Sequence, residues 1–119
     1  MILSTDDARL LFHRWRDDST QVRIRLISQA LIFDGVGVVT QAAAETLGFE
    51  GAAWRLDLPL AGAEFSFSDP REIPNASVRE SESRQYEFGI AIDLATGDRL
   101  TILELKEEAE AEEEEERED

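Results

Sequence analysis

The sequence predicts a mainly β (α+β) domain: an N-terminal helix, then a strongly bent or barrel-like antiparallel sheet of five to six strands, then an acidic C-terminal tail. Three observations carry this expectation. Apolar residues recur at helical spacing near the N-terminus, and from residue 22 to 105 they mostly alternate with polar ones. The last residues, "KEEAEAEEEEERED", have no apolar period at all.

The helix comes first. Ser4 or Thr5 can cap it, and Asp6 and Asp7 favour its first turn through the helix dipole. Ala8, Leu11, Phe12 and Trp15 then fall at i, i+3, i+4 and i+7, one face of a helix spanning about 5–16. Residues 17–20, "DDST", form the exit loop. In "QVRIRLIS", Val22, Ile24 and Leu26 alternate with Arg23 and Arg25, the mark of a half-buried strand. "ALIFDGVGVVTQA" is apolar on both faces, and Gly35 and Gly37 indicate a bend or bulge in a strand. "DGVG" superficially suggests a phosphate-cradling loop, but the β-type residues Val38 and Val39 follow it where a helix would be needed.

Segment 40–50 could be a helical turn or a strand, and the strand is the expectation here. Trp54, Leu56, Leu58 and Leu60 alternate in a strand that Pro59 ends or marks as an edge. Phe65 and Phe67 continue the period. Tyr86, Phe88, Ile90 and Ile92 lead through "ATGDR" into "LTILEL", the clearest hairpin of the chain. Between them lies a polar loop, 68–85, with almost no apolar period. Its "NAS" at 75–77 fits a glycosylation sequon and is read as loop. Residues 1–105 therefore form one domain, and 106–119 an acidic low-complexity tail.

Charge and composition narrow the function. The chain of 119 residues carries a net charge of −15, with eleven acidic and two basic residues from Glu104 onward. There is no cysteine and one histidine, His13, which starves a metal site, a Cys nucleophile or a Ser-His-Asp triad. No enzyme and no cofactor are expected. No apolar stretch approaches the roughly 20 residues of a membrane span, and "MILSTDDARL" lacks the pattern of a signal peptide. No membrane partner and a cytoplasmic location are the expectations. Phosphate binding needs clustered Lys and Arg, so so acidic a surface argues against nucleic acid.

Against this background, "FHRWRDDSTQVRIR" holds four of the twelve basic residues. Arg9, His13 and Arg16 form one stripe beside the apolar helix face, while Arg23 and Arg25 point away from the core. Arg9, Arg16, Arg23 and Arg25 are the candidate residues for an anion or a partner's acidic segment. The competing reading is two solvated faces that do not converge. For the tail, the readings are a solubilising extension, a ligand for a basic partner, or a segment folding back on the arginines.

The order helix, "VRIRLIS", "LIFDGVGVV" and further short strands resembles the Sm-like small β-barrel, over roughly residues 5–105. That resemblance implies a bent five-stranded sheet and RNA binding by an Asp- and Asn-bearing loop after the second strand. "TQAAAETLGF" has neither residue there. The PilZ type of barrel is the other candidate, although its Arg-x-x-x-Arg run followed by Asp/Asn-x-Ser-x-x-Gly is absent. The leading expectation is a small non-catalytic module that binds a protein partner or forms a homo-oligomer. The alternative is an Sm-like or PilZ-like module that binds RNA or a nucleotide through the four arginines.

Overall fold

A computed structural model describes residues 2–29, 32–43 and 45–106; the tail from 107 on lies outside them. The chain runs β1 (Ile2–Leu3), α1 (Thr5–Asp17), β2 (Val22–Ile27), β3 (Ile32–Ala42), β4 (Thr46–Glu50), β5 (Arg55–Pro59), β6 (Glu64–Ser68), α2 (Ala76–Gln85), β7 (Tyr86–Asp93) and β8 (Arg99–Leu105). The strands form one antiparallel sheet in the order β1-β6-β7-β8-β2-β3-β4-β5.

The mainly β class and the N-terminal helix are as expected, but among the described residues the strands number eight and the sheet is open. Its edges explain why it does not close. At one edge β1 pairs with β6 through two residues only, Ile2 with Ser66 and Leu3 with Phe65. At the other, β5 ends in Pro59. The bonds Leu60 N–H to Glu45 O and Gly51 N–H to Trp54 O turn the even-numbered residues of β5 toward β4. Arg55, Asp57 and Pro59 therefore face outward, and Pro59 has no hydrogen to donate.

The sheet has two unlike faces. The core face carries Val22, Ile24 and Leu26 of β2, Leu100 and Ile102 of β8, Ile90 and Ile92 of β7, and Leu47 and Phe49 of β4, all buried. α1 lies on this face with Ala8, Phe12 and Trp15 fully buried. The Phe12 ring sits 6.0 Å from Phe65, and Trp15 stacks on Phe88 at 5.9 Å. Ser4 caps the helix, its Oγ accepting from the Asp7 N–H at 3.1 Å. A cap of this kind contributes about 1 kcal/mol. Each buried large apolar side chain contributes about 1.5–3 kcal/mol, so the apolar stripe, more than the cap, fixes the helix on the sheet.

Gly37 shows what the glycines of "DGVG" do. The motif lies within β3, and a Cβ at Gly37 would collide with the Glu50 carbonyl and touch the Trp54 ring. The glycine lets β4 and the indole approach the strand. Segment 40–50 is extended as the end of β3 up to Ala42 and as β4 from Thr46, and the pairing shifts register between Val39 and Gln41.

Segment 68–85 is not the loop predicted from the sequence. Asp69 caps a 3-10 turn over Pro70–Glu72, and Asn75 caps α2 by accepting from the Val78 N–H at 3.1 Å. The helix escapes a periodicity search because none of its side chains is buried. Asn75 of the "NAS" triplet is its N-cap.

Candidate functional site

On the face opposite α1, alternation in β2 turns Arg23 and Arg25 outward. Arg23 makes a two-pronged contact with Asp34 of β3, Nε to Oδ1 and Nη2 to Oδ2, both at 2.8 Å. Its Nη1 donates to the Tyr86 hydroxyl at 3.0 Å. Arg25 pairs with Glu82 of α2 at 3.2 Å, and its guanidinium carbon lies 5.8 Å from the centre of the Tyr86 ring. The fork of Arg23 matches a carboxylate in geometry as well as charge. It holds the Asp34 carboxyl below its ordinary value of 3.8, and Asp34 and the Tyr86 hydroxyl raise the guanidinium in turn.

Tyr86 reaches this face through a bulge. Strict alternation with Phe88, Ile90 and Ile92 would place it in the main core. The β7–β8 register instead shifts between Tyr86 and Phe88, pairing Tyr86 with Leu105 and Phe88 with Glu104. The extra residue, Glu87, reverses the side on which Tyr86 lies. Tyr86, Ala91 and Leu103 are buried yet belong to no part of the main core. They form a second small cluster, on the side where the 3-10 turn and α2 pack against β7. A Cβ at Gly89 would meet Leu103 Cδ2 at 2.6 Å, so the glycine makes room for that leucine.

The four arginines singled out from the sequence are divided between the two faces. Arg9 and Arg16 are on α1, half-exposed, and Arg16 pairs with the adjacent Asp17 at 3.2 Å. Arg23 and Arg25 share the opposite face and the Tyr86 side chain. Asp34, Glu82 and Tyr86 complete the cluster and escaped the sequence reading. Asp34 sits directly across from Arg25 in the register, a pairing that can be found only once β2 and β3 are aligned.

Beside this polar cluster the same face is apolar and open. Ile27 pairs directly with Ile32 at the end of the β2–β3 ladder, and they are 55% and 77% exposed. Val36, opposite Arg23, is 43% exposed. The polar neighbours are matched in sign: Arg23 with Asp34, Arg25 with Glu82, and Arg99 with Asp93 at 3.9 Å.

A second feature lies at the end of α1. Glu104 is on the core face of β8, where it accepts from Trp15 Nε1 at 2.6 Å and Arg14 Nη2 at 3.1 Å. A cleft of about 550 Å³ opens there, lined by Arg14, Asp18, Glu87 and Phe88 among others. Among the described residues no group of three or more His, Asp or Glu side chains is placed to hold a metal. Among the same residues no helix is long and apolar enough to cross a membrane. Comparison with protein-family models, with curated proteins and with solved structures finds no match.

Proposed function

We propose that the protein is a small non-catalytic module that assembles with a second copy of itself through the outer face of β2 and β3. The observation that carries this reading is the directly paired, exposed Ile27 and Ile32, with Val36 on the same face. An exposed, directly paired isoleucine couple, with Val36 beyond the Arg25–Asp34 pair on the same face, is the kind of apolar surface that marks contact sites. Charge favours a like partner. The chain has a net charge of −15, yet on this face Arg23, Arg25 and Arg99 each have a carboxylate partner. Two copies meeting here bring no excess of one sign together, and a two-fold axis lays each apolar pair against its equivalent. The sheet edges are poor alternatives, since β1 is two residues long and β5 ends in proline.

Binding of RNA or a nucleotide by the arginines is the weaker reading. A phosphate would have to displace the Asp34 carboxylate from both prongs of Arg23. Sedimentation velocity across a concentration series tests the proposal. Wild-type protein is expected to move toward a dimer as concentration rises, and I27D/I32D to stay monomeric with an unchanged circular dichroism spectrum. A wild-type protein that is monomeric throughout, or a variant that assembles equally well, overturns it.

A further inference from the structure

We infer that α2 is a hinged strap, latched onto the sheet by the Arg25–Glu82 ion pair, which lifts from the outer face while the sheet stays folded. This rests on α2 itself and not on the dimer reading. Three observations and one general property of short helices support it. No side chain of α2 is buried, so its ten residues contribute almost no apolar surface to the fold. A helix of this length without packing is marginal in water. Among the described residues its side-chain tie to the sheet is the Arg25–Glu82 contact at 3.2 Å, and its last turn is bonded to strand backbone by the Tyr86 N–H to the Glu82 carbonyl and the Lys106 N–H to the Gln85 carbonyl. Finally, the Ser83 hydroxyl is shut away from water without a hydrogen-bond partner, a cost that exists only while the strap is down.

Gln85 runs directly into Tyr86 of β7, so the strap is fixed at that end and its free pivot is at Ile73–Pro74. Ahead of it, the 3-10 turn is pinned by buried Pro70 and packs on β7. Behind it, Arg79 Nη1 donates to the Ile73 carbonyl at 3.2 Å and keeps the first turn of α2 close to the pivot. Lifting frees Arg25, lying over the Tyr86 ring, from its carboxylate. The strap thus controls whether the Arg25 guanidinium is paired or open on the outer face. Segments held by few buried contacts open locally at a free energy well below that of global unfolding.

Hydrogen exchange of the full chain, read by mass spectrometry, tests this. Amides of 76–85 are expected to exchange well before those of β7, β8 and β2. R25Q and E82Q should each speed exchange in 76–85 by roughly two- to fivefold, the range of an exposed to partly exposed pair, leaving 86–105 unchanged. S83A should slow exchange in 76–85, because it removes the unpaired hydroxyl from the closed form. Protection of 76–85 equal to that of β7 overturns the inference. So does an acceleration in R25Q that spreads equally over 86–105, or an S83A variant that exchanges as fast as wild type or faster.

Discussion

Glu104 stands on the core face of β8, between Val22 of β2 and Phe88 of β7 in the register, where every alternate neighbour along its own strand is aliphatic. Its carboxylate is tolerated because Trp15 Nε1 and Arg14 donate to it, and its side chain is only 14% exposed. The two donors are unequal. Arg14 is 55% exposed and water can replace its partner, whereas Trp15 is fully buried. E104A is therefore expected to leave the indole N–H unpaired and to cost about 2–3 kcal/mol. E104Q keeps an acceptor for the indole and loses only the charge, worth about 1 kcal/mol or less at so exposed an arginine. Urea titrations of both variants check this, and equal losses would mean that the charge, not the indole bond, holds the helix down. At this scale the sequence was only partly legible. Phe12, Trp15, Val22 and Ile24 are core residues as their spacing predicts, but a one-residue bulge at Glu87 sends Tyr86 to the opposite face. Alternation carries no sign of such a shift.

Among the elements, legibility followed burial. α1 buries one side, and the β7–β8 hairpin sets its largest aliphatic side chains, Ile90, Ile92, Leu100 and Ile102, on the core face, so their apolar periods are written in the sequence. α2 has no buried residue, and only its cap, Asn75 accepting from Val78, held a clue. β5 was legible through Pro59, which was read as a strand end or an edge and is both. Its outward N–H groups belong to Arg55 and Asp57 alone, whose side chains pair at 3.2 Å along the edge. A charged, proline-ended edge discourages addition of another strand. The double variant R55V/P59V restores a third donor and removes one charge of the Arg55–Asp57 pair, and it is expected to form concentration-dependent assemblies larger than a dimer. Light scattering over a dilution series measures this, and an unchanged mass would show that β5 is guarded by something other than these two residues.

For the whole molecule, the element order that resembles a small barrel is realised as an open sheet with α1 on one face and α2 on the other. Strand order and closure depend on long-range pairing, such as β8 inserting between β7 and β2, which no local pattern records. Net charge, by contrast, is read directly from the sequence, and it makes a prediction about stability. At −15 the chain repels itself. At about 0.01 M salt the Debye length is about 30 Å, comparable to the molecule's shorter extents of 31 and 30 Å, so charges on opposite sides feel one another. At about 0.15 M it is about 8 Å and that repulsion is screened. The seven ion pairs seen among the described residues lie at 2.8–3.9 Å. Contacts so short, each worth at most about 1 kcal/mol, lose less to screening than repulsion spread over the whole surface. Raising salt at pH 7 should therefore stabilise the fold. A gain of about 1 kcal/mol corresponds to roughly 4–8 °C in Tm for a domain of this size. Thermal melts at the two salt concentrations decide between the terms: a rise in Tm assigns the balance to repulsion, and a fall assigns it to the ion pairs.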